Sequence, residues 1–254
     1  MALTVVPTIG QVLKDLDPQA TDTNYVYDRI GNLTKDVSEG ITNIKWSVYG
    51  KILEITRSPG DNPVTKITYT YDAMGNRISS VTEKSGTDDK DYTWYVRDAQ
   101  GNTIAVYQAT TDDEDLHWQN LNQTERHIYG SSRIGTFNLV NSVRGGTERV
   151  EWKADDYRGY KRYELTNHLG NALAAISDKK FGVVSDTNSS LIASYLLEIM
   201  SSNSYYPFGS MMPGRMFSSG DYRFGFNGKE NDIQIKGDRN TLDLGAGIYD
   251  EIVV

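Results

Sequence analysis

The sequence predicts an all-β fold in which successive antiparallel β-hairpin repeats form a curved, spiralling sheet. Three observations lead to this prediction. A phrase consisting of Asp or Asn, two variable residues and Gly-Asn occurs four times. Tyr27, Tyr49 and Tyr71 follow one another at a constant spacing of 22 residues. The segments beside the phrases alternate in polarity as strands do. Recurrence of this kind is typical of a repeat architecture.

Each phrase has the composition of a tight turn. Asp or Asn at the first corner accepts hydrogen bonds from backbone N–H groups further on, and Gly and Asn tolerate the left-handed backbone that closes the turn. Tyr27 and Tyr71 directly precede two of the phrases, and Tyr49-Gly50 lies midway between them. Each unit therefore predicts a hairpin with a loop of four or five residues. The phrases comprise Asp28, Gly31 and Asn32; Asp72, Gly75 and Asn76; Asp98, Gly101 and Asn102; and Asn167, Gly170 and Asn171.

Along the chain, a lead-in segment at 1–23 precedes hairpin repeats at 24–180 and a closing segment at 181–254. Within the lead-in, residues 12–16 are compatible with a short helix or an entering strand. The acidic run at 112–115 interrupts the repeats and is expected to be a solvated loop, because EF-hand spacing is absent. Strand pairing is expected to resume around His127 and to continue through Val150–Trp152 to Lys180.

The phrases YVYDRIGN, YTYDAMGN and YVRDAQGN resemble tyrosine-aspartate (YD) repeats, also called RHS repeats. Three later phrases, YELTNHLGN, YYPFGSMMPGR and YRFGFNGKEND, resemble in that order the RHS repeat-associated core of bacterial polymorphic toxins. Related shells occur in insecticidal toxin complexes and in teneurins. The resemblance implies a spiral β-sheet wound into a hollow shell around a toxic polypeptide. Its closing motifs are Tyr206, Pro207, Phe208 and Gly209, followed by Gly228, Lys229, Glu230 and Asp232.

The chain departs from the family pattern near its end. The family core ends beside a self-cleavage site with paired aspartates, whereas here Asp250 is followed by Glu251 instead of Pro. Neither a cleavage site nor a toxin is assigned. On propensity alone, residues 190–200 are compatible with a short amphipathic helix, but the resemblance implies a strand that leads into Tyr205. From Ser210 to Gly237 the density of Gly, Ser, Pro and Asn predicts brief strands and an irregular path.

Composition excludes several classes of function. The net charge of −8 argues against nucleic acid as a partner, since phosphate binding needs a basic surface. No apolar run approaches the roughly 20 residues that span a bilayer, and a signal peptide is not expected from the N-terminal residues. The absence of cysteine leaves no disulfides. The resemblance implies an exported protein, extracellular or on the cell surface, as part of a larger system.

The sequence predicts no catalytic, cofactor-binding or metal-binding residue. It contains no nucleophile elbow, phosphate-binding glycine loop or zinc motif. Asp15 and Asp17 stand two apart by chance, and His168 is expected inside a turn. His127 is expected to be a packed or edge residue. Glu230 and Asp232 face the same way if their segment is extended, and we expect them to form an internal polar clamp.

Three hypotheses for function follow. The preferred one is a shell segment without catalysis, whose partner is a polypeptide: a toxin cargo, another copy, or a chain that completes the sheet. The second is a module that binds glycans or a surface protein through exposed aromatic residues. The alternative for these aromatic residues is stacking between neighbouring strands, with the tyrosine hydroxyls bonded to turn Asp and Asn groups. The third is a remnant of a self-processing aspartic peptidase. The aromatic residues concerned are Tyr25, Tyr69, Tyr92, Trp94, Tyr95, Trp118 and Trp152.

Overall fold

The computed structural model is all-β, as the sequence predicts. It describes residues 24–60, 62–111, 121–138, 140–143, 158–188, 190–207, 209–220, 222–232, 235, 241–243 and 248–250. Within these residues, 15 strands form one antiparallel sheet and three form a second. The lead-in segment, the acidic run at 112–115 and the predicted strand around Trp152 lie outside the described residues, as does Trp118. None of the described residues belongs to a helix long and apolar enough to cross a membrane.

The large sheet is built from hairpins in chain order. Its strands are β1 (Tyr25–Tyr27), β2 (Leu33–Asp36), β3 (Ile41–Trp46), β4 (Ile52–Arg57), β5 (Val64–Tyr71), β6 (Arg77–Lys84), β7 (Lys90–Arg97), β8 (Thr103–Thr111), β9 (Asn122–Tyr129), β10 (Arg133–Phe137), β11 (Asn141–Ser142), β12 (Lys161–Thr166), β13 (Ala172–Val184), β14 (Ile192–Tyr205) and β15 (Met211–Ser218). The second sheet contains β16 (Glu230–Asn231), β17 (Thr241–Asp243) and β18 (Ile248–Asp250).

Strand order places all the motif turns on one edge of the large sheet. The order runs from β1 to β10 and then from β12 to β15, while β11 pairs with β9. Because neighbouring strands are antiparallel, the loops after β1, β3, β5, β7, β9, β12 and β14 meet at the same edge. We call this row of strand ends the turn edge, and it is distinct from the outermost strands β1 and β15. The four repeated phrases form four of these seven connections, so the repeat marks one side of the sheet.

The turns have the geometry that their composition predicts. In the first, Oδ1 of Asp28 accepts hydrogen bonds from the N–H groups of Ile30 and Asn32, both at 2.9 Å. The Asn32 side chain donates to the other carboxylate oxygen at 2.9 Å. Gly31 has φ of 92°, a conformation that glycine adopts without strain. The turns at Asp72 and Asp98 repeat this pattern, and in the fourth turn Asn167 accepts the same two backbone bonds.

A further turn of the same kind lies between β3 and β4. Ser47 takes the place of Asp, and its Oγ accepts hydrogen bonds from the N–H groups of Tyr49 and Lys51 at 3.3 and 3.0 Å. Tyr49 is thus the third residue of a turn and is 87% exposed. Tyr27 and Tyr71 instead end strands β1 and β5, so the spacing of 22 residues joins residues in different positions of their hairpins. Gly50, with φ of 71°, fills the position of the motif glycine.

The connection between β14 and β15 also belongs to this class. Tyr206 donates its N–H to the carbonyl of Ser210 at 2.8 Å, and Gly209 donates to Tyr206 at 3.1 Å. Gly209 has φ of 103°. The motif residues Tyr206, Pro207 and Gly209 therefore lie in a hairpin turn at the turn edge, and Phe208 lies outside the described residues.

The residue before a turn ties that turn to the preceding one. At five turns its side chain donates to the carbonyl of the residue that directly follows the previous turn. The five bonds run from Trp46 Nε1 to Leu33 (2.7 Å), Tyr71 OH to Ile52 (2.8 Å), Arg97 Nε to Arg77 (3.0 Å), Tyr129 OH to Thr103 (2.9 Å) and Tyr205 OH to Ala172 (3.0 Å). The donor is a tyrosine at three of the five turns, and at Tyr71 it is the tyrosine that stands directly before the Asp of the motif.

Apolar residues concentrate on one face of the sheet, which we call the inner face. Ile41, Ile55 and Ile67 are each at most 2% exposed, and Ile235 packs against their cluster. The alternation of buried and exposed residues along β5 reflects the period of a strand. Ile235 is distant in sequence from these strands, so the core joins the first hairpins to the closing segment.

The closing segment differs in part from its prediction. The strand expected at 190–200 is confirmed as part of β14. Brief strands after Ser210 were expected, and this is wrong for β15, which has eight residues. Its glycine and proline fall where the register passes from Tyr205↔Met211 to Asn203↔Met216, so they occupy a bulge and do not end the strand. Pairing also resumes earlier than expected, at Asn122.

The turn-to-turn tie is testable at Tyr71. The Tyr71→Phe variant keeps the ring and loses the hydroxyl that donates to Ile52, so we expect the free energy of unfolding to fall by about 1 kcal/mol. Urea titration followed by circular dichroism measures this change. Tyr49→Phe is the matched control, because the Tyr49 side chain is exposed in its turn. Equal stability of the two variants would contradict the role of the tie.

Candidate functional site: a charged clasp on the inner face

A single segment, Tyr222 to Asp232, crosses the inner face of the large sheet; we call it the clasp. Its backbone turns at Phe226–Gly228, where Gly225 donates its N–H to the carbonyl of Lys229 at 2.9 Å. Asn227 and Gly228 have φ of 52° and 63°, which Asn and Gly tolerate better than other residues. The Gly-Phe-Asn-Gly sequence thus lets the clasp fold back sharply over the sheet.

Asp232 anchors one end of the clasp to strands β5 and β6. Its Oδ2 accepts hydrogen bonds from Arg77 Nη1 at 2.8 Å and from Tyr69 OH at 3.0 Å. The side chains of this ion pair are 4% and 6% exposed. The Arg77 guanidinium also lies 4.1 Å from the centre of the Tyr69 ring, within the range of a cation–π interaction. The carboxylate is therefore paired on the inner face.

Glu230 points to the same face two residues earlier. Its Oε1 accepts a hydrogen bond from Tyr95 OH and pairs with Arg223 Nε, both at 3.2 Å. Glu230 and Asp232 thus face one way, in the arrangement expected of an internal clamp. Lys229, between Gly228 and Glu230, is exposed at the rim.

The tyrosine hydroxyls have partners that the sequence did not indicate. Turn Asp and Asn groups were expected, but Tyr69 and Tyr95 donate to the carboxylates of Asp232 and Glu230. The turn carboxylates are already occupied by backbone N–H groups of their own loops. Burial, followed by the charge of Asp232, raises the pKa of Tyr69 well above its ordinary value. Burial and the charge of Glu230 likewise raise the pKa of Tyr95. Both hydroxyls therefore remain donors.

A second anchor lies around Glu125 on β9. Its Oε2 pairs with Arg223 Nη2 at 2.8 Å and with His127 Nε2 at 3.0 Å. Its Oε1 accepts from Asn138 Nδ2 at 3.2 Å. Burial opposes ionisation, but Arg223, His127 and Arg133 outweigh it and hold the pKa of Glu125 at about 2. Arg223 therefore bridges two carboxylates, one on the sheet and one on the clasp.

A third anchor joins the clasp to β10 and β12. Arg133 pairs through Nε with Glu164 at 2.7 Å and donates from Nη2 to the carbonyl of Gly228 at 2.6 Å. Its guanidinium carbon lies 3.6 Å from the centre of the Phe224 ring. The edge of the His127 ring meets the same phenyl group at 5.5 Å between centroids. Phe224 is thus enclosed by a cation and an imidazole.

One repeated motif also takes part in holding the clasp. The side-chain oxygen of Asn171 accepts a hydrogen bond from the N–H of Asn227 at 2.9 Å. The next residue, Ala172, donates its N–H to the carbonyl of Gly225 at 3.1 Å. Asn171 is 5% exposed, unlike the equivalent Asn32 in the first turn. The fourth phrase therefore serves both as a turn and as a docking point.

An open cleft of about 650 Å³ lies between the clasp and the turn edge. Polar and charged residues line it, among them Arg97, Asp98, Asn102, Arg133 and Lys229. Several of its charges are already engaged, since Arg97 donates to the carbonyls of Arg77 and Gly101. The cleft is thus bordered by the same interactions that fix the clasp.

The chemistry of the arrangement is that of a clamp. In an aspartic protease, two carboxylates lie together and share a proton. Here Asp232 is paired with Arg77 and Tyr69 of the sheet, and Glu230 is paired with Arg223 of the clasp and Tyr95 of the sheet. Among the described residues, no three His, Asp or Glu side chains group as metal ligands would. Asp28, Asp72 and Asp98 each lie in a separate turn, where their carboxylates accept hydrogen bonds from the backbone of that turn.

Several residues of the clamp were not predicted as site residues. Arg77, Glu125, Arg133 and Arg223 are isolated charges in the sequence, so no motif identifies them. One pattern does indicate the second anchor: Glu125 and His127 are two residues apart on a strand and therefore share one face. The expectation that His127 is packed agrees with its 3% exposed side chain. Three of the aromatic residues considered for glycan binding are buried and do not form an exposed surface: Tyr69, Tyr92 and Tyr95 are each at most 8% exposed.

Solved structures with the same fold come from Tc toxins. A chain of the Tc holotoxin pore of Photorhabdus luminescens, with a mutated TccC3, has a TM-score of 0.57 at 16% identity; the match covers 93% of this chain and 9% of that chain. A TcdB2-TccC3-Cdc42 structure has a TM-score of 0.55 at 14% identity, and the match covers 93% of this chain and 10% of that chain. A structure of TcdB2-TccC3 without its hypervariable C-terminal region has a TM-score of 0.53 at 14% identity, and the match covers 84% of this chain and 8% of that chain.

These likenesses show a shared fold and fit the RHS-type architecture expected from the sequence. This chain spans only about a tenth of the length of the chains it matches. No protein-family model matches the chain, and no curated protein sequence does.

Loss of the Asp232 carboxylate is expected to be costly. The Asp232→Ala variant leaves Arg77 buried without its carboxylate, so we expect the free energy of unfolding to fall by about 3–5 kcal/mol. Chemical denaturation measures the loss. Glu54→Ala, which removes a carboxylate bound to exposed Lys45 and Lys66, is the control and should cost about 1 kcal/mol or less. A loss at Asp232 no larger than that of the control would mean that the clasp is held by other contacts.

Stability should also depend on pH through Glu125. Its pKa is about 2 in the folded chain, below the ordinary value of roughly 4.3. The resulting stabilisation is fully present above the unfolded value and is lost as the pH falls through the folded one. Urea midpoints measured between pH 7 and pH 2.5 should therefore fall below about pH 4.5. In Glu125→Gln this decline should be shallower, and parallel profiles for the two proteins would contradict the assignment.

Proposed function

We propose that this chain is a non-catalytic wall segment of a toxin-complex shell, in which its sheet contacts an enclosed or adjoining polypeptide. The observation that carries the proposal is the large sheet itself, which is built from consecutive hairpins and tied along one edge. The fold likeness to TcdB2-TccC3 chains supports it. We further propose that the protein acts outside the cell that makes it, as an exported or surface-bound part of a larger assembly.

The clasp supports a structural role for the inner face. The charges that meet there are paired within the protein: Asp232 with Arg77, Glu125 with Arg223, and Glu164 with Arg133. A catalytic carboxylate needs a pKa near its working pH, whereas the pKa of Glu125 is held at about 2. Self-processing by these groups is therefore disfavoured, and a scaffold is favoured.

We propose that a polypeptide partner joins the sheet beside β1. Within the described residues, β1 pairs only with β2. The backbone carbonyl of Asn24 accepts a hydrogen bond from the N–H of Val37, and the N–H of Asp28 donates to the carbonyl of Asn32, so these groups lie on the β2 side. Since backbone groups alternate sides along a strand, the amide of Tyr27 faces away from β2. Tyr27 also occupies the tie position before a turn, and its side chain is 50% exposed. A hairpin added beside β1 would supply Tyr27 with a backbone carbonyl to accept its hydroxyl hydrogen bond, as Ile52 does for Tyr71.

Amide hydrogen exchange tests this role in the natural gene product. We expect the Tyr27 amide to be protected there, and to exchange quickly in a protein limited to residues 24–254, because strand addition hides the amide. Tyr27→Phe should reduce that protection, whereas Tyr49→Phe should not. Rapid exchange of Tyr27 in both proteins would contradict a sheet that continues past β1.

Mass spectrometry of the same gene product separates the remaining hypotheses. A shell segment predicts a mass that stays constant on incubation. A self-processing peptidase predicts cleavage over time that stops in Asp232→Asn, and this outcome would overturn the proposal. Saturable glycan binding lost in Trp94→Ala would favour the adhesive module instead.

A further inference from the structure

The hairpin of β13 and β14 projects beyond the rest of the sheet. β12 accompanies β13 only as far as Ser177, and β15 accompanies β14 only from Ser201. Beyond these points, and among the residues that the structure describes, the two strands pair only with each other, from Lys180↔Leu197 to Val184↔Ile192. We call residues 179–199 the ribbon. It lies at the edge of the sheet opposite the turn edge.

A bulge sets the direction of the ribbon. The register passes from Ile176↔Ile199 to Lys180↔Leu197, so three residues of β13 face one residue of β14. Such bulges bend a strand and increase its local twist. Gly182 then allows Ile192 to lie close, since a Cβ on the glycine would stand 2.8 Å from Ile192 Cδ1. The ribbon is therefore a defined element that leaves the main sheet at a fixed point.

Apolar side chains cover both faces of the ribbon. Phe181 and Leu196 oppose each other on one face and are 46% and 59% exposed. On the other face lie Tyr195, Leu197 and Ile192, which are 55%, 62% and 53% exposed. An isolated two-stranded hairpin is marginal in water, and contiguous exposed apolar surface marks an interaction site. The ribbon is thus expected to pack against something.

A lipid bilayer does not fit this element. In hydrocarbon every backbone N–H and C=O must be paired, and within the described residues both outer edges of the ribbon lack a neighbouring strand. The six residues that β13 contributes to the ribbon, 179–184, are also fewer than the roughly 9–11 residues of a strand that crosses a membrane. A protein partner with apolar side chains fits better.

The charges at the two ends of the ribbon are complementary to those of a second, antiparallel copy. Lys180 stands at the base and Asp186 near the tip, about 20 Å apart for six extended residues. Both are exposed, and neither has an oppositely charged partner within the described residues; Lys180 instead lies over the Tyr195 ring at 4.2 Å. Two ribbons related by a two-fold axis and running antiparallel place each base beside the other's tip.

We infer that the ribbon is a homodimerisation site in which two copies lie antiparallel, with Lys180 of each chain beside Asp186 of the other. The interface is isologous, because the same surface is used by both chains. Tyr195 and Leu197 lie on the same face as Lys180, and they become covered when that face of each ribbon packs against the other. This inference is independent of the proposed shell role, since it uses neither the clasp nor the β1 edge.

Light scattering of the full chain over a range of concentrations tests the inference. We expect a monomer–dimer equilibrium, and Leu197→Lys or Tyr195→Lys, on the face that Lys180 shares, should weaken it at least tenfold. Ile30→Lys is the matched control, because Ile30 is 84% exposed at the turn edge, and it should leave the equilibrium unchanged. Circular dichroism verifies that each variant is folded. A monomer at all concentrations, or equal weakening by all three substitutions, would overturn the inference.

A charge exchange tests the antiparallel arrangement separately. Lys180→Asp and Asp186→Lys each place like charges together and should weaken association, whereas the double variant should restore it. Higher salt should reduce the differences between these variants, because exposed charges are screened. If the double variant is as weak as either single one, the copies do not meet in this orientation.

Discussion

The buried pair between Arg77 and Asp232 connects parts of the chain that lie 155 residues apart. Consecutive hairpins by themselves make contacts only between neighbours, as in other repeat proteins, so their stability is close to a sum of local terms. The clasp changes this, because it contacts strands from β5 to β13 at once. The first hairpins thereby become coupled to the closing segment, and the sheet acquires a long-range constraint.

The buried ion pairs of the clasp contribute more to fixing its position on the sheet than to the net free energy of folding. Removing two charges from water costs several kcal/mol per ion, and their attraction offsets this only when hydrogen bonds satisfy the remaining groups. Tyr69 supplies one such bond to Asp232, and Arg223 bridges Glu125 and Glu230. A clasp displaced by one residue would leave buried charges without partners. The network therefore selects one register for the segment that crosses the sheet.

Local features were predictable from the sequence, and long-range partners were not. The turns at Asp28, Asp72 and Asp98 follow from residues within five positions of one another, so composition is enough to identify them. The shared direction of Glu230 and Asp232 follows from the period of an extended chain. Arg77 and Tyr69 were not identified as their partners, because tertiary folding alone brings them together. The turn that contains Tyr49 was not recognised as a copy of the motif for a local reason. It begins at Ser47, whose hydroxyl accepts the hydrogen bonds that the Asp carboxylate accepts in the other turns, so a search for Asp or Asn does not find it.

The two ends of the large sheet differ in a way that bears on its growth. At β1, the pairing with β2 shifts by one residue between Val26 and Tyr27, and Tyr27 stands in the tie position of the motif. At β15, the register is interrupted by a bulge containing Gly214, with φ of 70°, and Pro213, which has no N–H to donate. Bulges and prolines are features that protect an edge from further pairing. The larger irregularity and the proline of β15 therefore oppose strand addition at that strand, which is in keeping with the proposal that a partner joins at β1.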